Sequence, residues 1–403
     1  ETPVAPTPSH KPSVIVLPFQ SLMPEGPEQI LSEAVPHELI QALSRLRWLR
    51  VIARGTAFRF REANPELESI GRQLSVRYAL SGTIDLCCGL LMFTIELSDC
   101  ETGDVVWAER FEAKPEGLHD VRHEIVAQVI ASLEIYIPLN EATRAEARGS
   151  QSLDAWSNYH LGLRHMFRFT ADDNARATEL FKTAIMQDPI FARAHAGLSF
   201  TRFQDAFLNY TADVPDAILD ARRFAERSVE LDPLDPFSNF TKGRAFWLEG
   251  DLAGGLSWLE RSVSLSPNFA QGYYSRAFAQ VIQGQADEAL ENAEKALDLS
   301  PLDPFLYGVH GVRAMAWLQA GDGERAKAEV EKAARAPGAH FLILMIAAMV
   351  HAIAGDDQRA AHWAGLARTR RPDANRQQFF AAFPFGEPGF HKQASDSLAR
   401  IGF

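Results

Sequence analysis

The chain has 403 residues, 46% of them hydrophobic and 23% charged, a make-up that reads as a soluble globular protein with length for two or three domains. Its formal net charge of -12 leaves no basic footprint for neutralising phosphates, which excludes a nucleic-acid grip by this region itself. No run approaches the roughly eighteen apolar residues of a membrane span, and no signal peptide opens the chain.

Residues 1–12 carry Pro3, Pro6, Pro8 and Pro12 without an initiator methionine and read as a proline-rich linker, so a preceding segment is expected. From Ser13 the pattern changes. Residues 14–19, Val-Ile-Val-Leu-Pro-Phe, are a β-branched apolar run and predict a buried strand. Residues 28–46 place Ile30, Leu31, Ala34, Val35, Leu39, Ile40, Leu43 and Leu46 at helical spacing, with Pro36 expected to bend or divide the helix. A strand over 48–53, a helix over 66–74, strands over 78–86, 90–98 and 105–112, and a helix over 118–133 follow. Cys88-Gly89 and Thr102-Gly103-Asp104 supply the turns between the last three strands. The order βαβαβββα predicts an α+β domain with a mixed sheet over 13–138. Cys87, Cys88 and Cys100 are too few and too badly spaced for a disulfide framework or a zinc site. Side by side on a strand, Cys87 and Cys88 are expected to diverge. Residues 139–152, with Glu141, Arg144, Ala145 and Arg148 in helical phase, read as a helical connector.

Beyond it the chain repeats. Asp232-Pro233, Ser266-Pro267 and Ser300-Pro301 recur every 34 residues, and small or apolar trios precede each proline: Ala221, Ala225 and Ser228, then Gly255, Leu259 and Ser262, then Ala289, Ala293 and Ala296. Spacings of four and three put each trio on one helical stripe. Gly243, Ala277 and Gly311, ten residues past each proline, leave room for a second helix to close in. Two antiparallel helices per unit are the consequence. The same phase runs upstream through Ala177, Phe181, Ala184 and Pro189, with Ser199 as the small residue, and downstream through Ala360, Ala364, Ala367 and Pro372. Pro189 and Pro233 lie 44 residues apart, which predicts an insertion near 209–215.

These features resemble the tetratricopeptide (TPR) repeat, which implies an all-α solenoid over 153–375. In that family the first helix of each pair lines the concave surface at positions 2, 5, 9 and 12. Here the resemblance puts Phe237, Phe240, Arg244 and Trp247, then Gln271, Tyr274, Phe278 and Val281, then Phe305, Gly308, Val312 and Met315 on that surface. An aromatic groove with one arginine suits a peptide or a helix of another chain, with about half of the rings expected to pack between repeats. Arg276 and Arg313 lie off this phase. Residues 376–403 read as a C-terminal cap, because Phe379, Phe380, Phe383 and Phe385 crowd seven residues and 392–401 is amphipathic.

The amino-terminal third resembles the TolB-like domain that precedes TPR repeats in many bacterial signalling proteins. The motifs that carry the likeness are Lys11 to Phe19, Pro27-Glu28-Gln29, Ala42 to Leu49 with Val51 to Arg54, Val76-Arg77-Tyr78 with Gly82, and Thr102-Gly103 followed by Val106 to Phe111. The resemblance implies a regulatory region that follows a winged-helix DNA-binding domain, a class III adenylate or guanylate cyclase domain or a kinase domain, often across a membrane span, so the chain is expected in either the cytoplasm or the periplasm of a bacterium.

No catalytic motif is present, and no cofactor is expected. His119 and His123, at i and i+4 before Glu124, offer two imidazoles to a metal but no third ligand, and a solvated helix face is the favoured reading. The sequence therefore predicts a non-catalytic sensory and protein-interaction region with a peptide or protein partner, a possible small-molecule effector and a possible homodimer, and the family resemblance implies a winged-helix transcriptional regulator as its first-choice setting. A cyclase regulatory region and a free-standing adaptor are the alternatives.

Overall fold

The computed structural model describes residues 11–23, 31–61, 66–114, 118–148, 153–301 and 303–403, which fall into two units divided between Arg148 and Gly149. Most of the proline-rich stretch, the Pro27-Glu28-Gln29 motif and the side chain of His119 lie outside the described residues.

In the first unit, β1 (Ser13–Val16) is buried along its length and runs parallel to β3 (Arg50–Val51) on one side and β4 (Tyr78–Cys87) on the other. Strand β4 then pairs antiparallel with β5 (Leu90–Asp99), and β5 with β6 (Val105–Ala113), giving the order β3-β1-β4-β5-β6. The sheet is mixed, as expected. A strand the alternation pattern did not show, β2 (Gln20–Ser21), continues beside β4 at Thr83 and Ile84. Helix α1 (Leu31–Leu43) contains Pro36 without being divided. Proline has no N–H to give the carbonyl four residues back, and the Phe19 N–H donates to that Ser32 carbonyl instead at 2.9 Å. The short α2 (Arg54–Ala57) and α3 (Leu67–Leu74) complete the segment before the meander.

Helix α4 (Leu118–Arg148) is longer than the spacing predicted, and it includes Pro138. Residues 139–148, expected as a connector, are its C-terminal part and belong to the first unit. Polar contacts hold this end of the helix to the sheet: Tyr78 Oη donates to Glu141 at 2.6 Å, and Arg144 pairs with Asp99 at 3.0 Å and Glu101 at 2.8 Å. Arg77 joins the same Asp99 at 2.5 Å. Burial, then the Glu141 carboxylate, pushes the Tyr78 hydroxyl well above the usual tyrosine pKa. Residues 122–147 are long and apolar enough to cross a membrane by length and composition, contrary to the sequence expectation. Their apolar positions Ile125, Val129, Ile130, Leu133 and Ile137 are buried where α4 packs against α1 and β6, which is the position of a core helix.

The second unit is built of helical hairpins: α5 (Ala155–Met166) with α6 (Ala171–Gln187), α7 (Ala192–Phe207) with α8 (Val214–Leu231), α9 (Pro236–Leu248) with α10 (Leu252–Leu265), α11 (Ala270–Ile282) with α12 (Ala286–Leu299), α13 (Leu306–Gln319) with α14 (Gly323–Arg335), and α15 (Phe341–Ile353) with α16 (Asp357–Arg370). These paired helices form repeats that resemble the TPR arrangement. The turns inside the last four hairpins pass through Gly250, Gly284, Gly321 and Gly355 at φ of +76° to +82°, a region that L side chains avoid. Asp213, Asp251, Asp322 and Asp356 each cap the second helix of a hairpin by accepting a bond from the N–H three residues on. The repeat also sets tertiary bonds, since Ser228 Oγ donates to the Ala192 carbonyl and Ser262 Oγ to that of Pro236, both at 2.8 Å.

Close approach follows the small positions. A Cβ on Gly243 would stand 2.7 Å from Leu259 Cγ and 3.0 Å from the Gly255 carbonyl oxygen. Gly311 differs, because a Cβ there would meet nothing nearer than Ile343 Cδ1 at 3.7 Å. The 44-residue interval is absorbed by both helices of its hairpin, 16 residues in α7 and 18 in α8 against 13 and 14 in α9 and α10, and by the turn between them, 208–213 against 249–251, which lies where the insertion was expected. Two helices close the chain, α17 (Arg376–Ala382) and α18 (Pro388–Arg400). Only α18 lies along α15 as a cap should, with Arg368 Nη2 bonded to the Ile401 carbonyl at 2.6 Å.

Candidate functional site

The helical phase carries the aromatic residues of α9, α11 and α13 to the inner face of the hairpin row, where the sequence placed a groove. That face is not open. Phe237, Phe240, Arg244, Trp247, Tyr274, Phe278, Val281, Phe305, Val312 and Met315 are all between 0 and 5% exposed, and of the named groove positions Gln271 alone is half-buried.

Two sets of contacts fill it. The first comes from α7 and from the turn after α5. Phe200, Phe203 and Phe207 stack along α7 with ring centroids 5.6 and 5.1 Å apart, Phe200 stacks on Phe240 at 5.7 Å, and Phe207 stands edge-on to Trp247 at 5.8 Å. Phe167 and Phe169 reach Phe305 at 5.7 and 5.4 Å, so the first hairpin touches the fifth across the inner face. Phe169 sits at φ +53°, a left-handed conformation unfavourable for a bulky residue, and Tyr210 Oη fixes its carbonyl at 2.6 Å. The 34-residue phase did not single out these residues of α7; their spacing of i, i+3 and i+7 is the signal that marks them as one helical stripe.

The second set is α17 itself. Trp247 Nε1 donates to the Ala382 carbonyl at 2.9 Å, and Phe383 stacks on Phe278 at 5.4 Å and meets Phe207 edge-on at 5.5 Å. The Gly386 N–H then donates to the Ile282 carbonyl at 2.9 Å. Residues 376–386 therefore lie across the inner ends of α7, α9 and α11. These aromatics were expected to cap the last repeat; Phe383 instead sits on the groove wall, where rings separated in sequence meet only once the hairpins are stacked. With Phe379 and Phe383 fully buried and Phe385 nearly so, the segment contributes on the order of 2–3 kcal/mol of apolar burial per ring.

Arg244 stands at the centre. Its guanidinium lies 4.2 Å from the Phe203 ring centre and 5.2 to 5.9 Å from those of Trp247, Phe200, Phe240, Tyr274 and Phe305. Nη1 donates to Ser275 Oγ at 2.8 Å, while Nε meets no acceptor among the described residues. No carboxylate pairs with it there, and burial pulls its pKa below the usual arginine value. His340, also buried nearby, is held at about 3 by burial and by Arg370 and Arg244, so it stays neutral. Asp303, just before α13, is pushed up to about 6 by burial, against the bond that the Phe305 N–H gives it at 2.9 Å. Off this face, Arg276 pairs with Glu260 at 3.3 Å and Arg313 with Glu329 at 3.0 Å.

Elsewhere, no group of three or more His, Cys, Asp or Glu side chains is placed to hold a metal among the described residues. Cys87 and Cys88 do not diverge. Cys88 adopts φ +56° in the hairpin turn rather than continuing the strand, which brings the two exposed sulfurs within 3.7 Å.

No protein-family profile matches the chain. A curated relative, "Putative adenylate cyclase 3" of Rhizobium meliloti (strain 1021), is 26% identical over 251 residues, which cover 62% of this chain and 41% of that protein. The chain thus matches less than half of that relative's length. Solved structures similar to it include a thermophilic TPR protein of Thermus thermophilus, with TM-score 0.37 and 18% identity over 45% of this chain and 90% of the other. PilF of Pseudomonas aeruginosa follows with TM-score 0.39 and 16% identity over 56% and 94%.

Proposed function

We propose that this chain is a non-catalytic, protein-interacting regulatory region of a longer bacterial signalling protein, and that its helical unit holds a polypeptide segment on the inner face of the repeats. The observation that carries this reading is the seat of α17, a seven-residue helix held by aromatic stacking and a single indole bond to its end. A face that holds one short helix has the chemistry to hold another. In this reading Trp247 and Phe278, with Phe207 of α7, form the receiving surface, while Phe237, Phe240, Arg244, Tyr274, Phe305 and Met315 of the expected groove are buried between the hairpins and Gln271 is half-buried beside them.

The amino-terminal unit is read as the TolB-like domain of such proteins on the motifs at 11–19, 42–54, 76–82 and 102–111. For the output, the named relative favours a nucleotide cyclase over a winged-helix domain, which rests on family resemblance alone. The test is to express the whole coding frame and measure cyclic AMP and cyclic GMP formation, with and without residues 149–403. Formation that changes severalfold when the helical unit is removed is the expected result. An intact protein that makes neither nucleotide overturns the cyclase output, and a rate indifferent to the helical unit overturns its regulatory role.

A further inference from the structure

We infer that residues 376–386 are a displaceable occupant of the inner face, and that the partner taken up there is a short helix of the same pattern, with phenylalanine at i, i+4 and i+6 and a proline that ends it. The inference rests on the reading that this face binds polypeptide, and it supplies the partner's chemistry and the contact that controls access.

Four features set α17 apart from the repeats it touches. The stack is closed without it, because α18 is the helix that lies along α15, with Arg400 bonded to the Ala352 carbonyl and Arg368 to that of Ile401. Its helical conformation is locally encoded: Asn375 accepts from the Gln378 N–H at 3.0 Å, the Gln378 side chain returns to the Asn375 N–H, and Pro384 forces Phe383 out of the helix at φ -125°. Its anchoring is that of a peptide in a groove, with Phe379, Phe383 and Phe385 turned inward, Arg376, Gln377 and Ala381 exposed, and the Trp247 and Ile282 bonds made to backbone alone. Backbone bonds of this kind do not read side-chain identity, so what selects the occupant is the spacing of its rings. Finally, the wall it covers spans three successive hairpins through Phe207, Trp247 and Phe278, as a bound segment does.

Tethered in cis, such a segment faces its site at an effective concentration on the order of millimolar. An outside segment of equal intrinsic affinity is then excluded until the tethered one is weakened or outcompeted, and its apparent affinity falls by the fraction of molecules that are open.

The probe is a fluorescently labelled synthetic peptide with the sequence of residues 375–387, titrated by anisotropy against the full chain and against a Phe383→Ala/Phe385→Ala variant. Binding at least tenfold tighter to the variant than to the wild type is expected, with a peptide carrying the same two substitutions failing to bind. Equal binding to both proteins, or none to a variant that keeps its helical circular dichroism, overturns the inference. If the variant does not fold, hydrogen exchange of the wild type decides: amides of 376–387 exchanging at least tenfold faster than those of α15 support a segment that opens by itself, and exchange of both together overturns it. The cyclic-nucleotide measurement above is independent of these readouts, so failure of the broader reading and failure of this one are seen separately.

Discussion

The inner and outer faces of the helical unit are written by one 34-residue period and end in opposite conditions. On the outside, Met186, Ile190 and Leu219 are 74, 73 and 69% exposed, and arginines pair with carboxylates in partly solvated bridges such as Arg276 with Glu260. On the inside, every ring of α9 and α11 named above is buried, and the two charged groups there, Arg244 and Asp303, have no ion-pair partner among the described residues. A repeat period therefore tells which residues face inward but not whether that face is left open. The rings of α7, the turn after α5 and the segment 376–386 decide it together.

Substitutions that act differently on the two faces sharpen this contrast. Trp247→Ala removes a buried indole and leaves the Ala382 carbonyl without its donor, so a loss of about 3–5 kcal/mol is expected in urea denaturation. Leu219→Ala on the outside should stay within about 0.5 kcal/mol. Equal, small effects for both would mean that the inner face is solvated after all.

The buried charge gives a pH-dependent version. Burial raises Asp303 from 3.8 to about 6, so the folded state holds the proton more tightly than the unfolded one. The stability this contributes is present below about pH 4 and is lost as pH rises through about 6. Asp303→Asn, neutral throughout, should raise the melting temperature at pH 8, by the equivalent of up to about 3 kcal/mol, with the gain vanishing near pH 4. A gain constant with pH removes the carboxylate as its cause.

Packing between the two helices of a hairpin comes next. Gly243→Leu should destabilise by about 1–3 kcal/mol through overpacking against Leu259, whereas Gly311→Ala, with room for a methyl group, should stabilise α13 by up to about 1 kcal/mol. Thermal melts of the two variants should move in opposite directions. Shifts of the same sign would contradict the spacing between these helices.

How much of this was legible depended on the range of the interaction. The buried β1, the three-strand meander and the hairpins after Pro233 follow from local pattern, and each stands close to where its residues predicted. Strand β2 is only two residues long, too short for any alternation. Pro36 was expected to bend or divide its helix and does not divide it; the freed Ser32 carbonyl accepts from Phe19, a partner from another element that no helix pattern contains. Cys88 was read both as part of the Cys88-Gly89 turn and as a strand neighbour of Cys87; it lies in the turn, where a left-handed residue reverses the direction of its side chain. The phase placed the expected groove residues on one face, but their burial under Phe169, Phe200, Phe207 and Phe383 arises from contacts between distant hairpins. The phenylalanine cluster at 379–385 was conspicuous, and only its destination was wrong.

The bond from Trp247 to Ala382 joins residues 135 positions apart, and the one from Arg371 to Asn209 spans 162. An open array of hairpins folds through neighbours alone and can begin while synthesis is still under way. Here the middle hairpins gain their last inner contacts only once residues 376–386 have been made, and the sequence separation of those contacts slows that step. Until then Trp247 and Phe278 lack the cover that Ala382 and Phe383 give them, so the interval between forming the hairpins and seating residues 376–386 leaves apolar surface exposed to wrong partners.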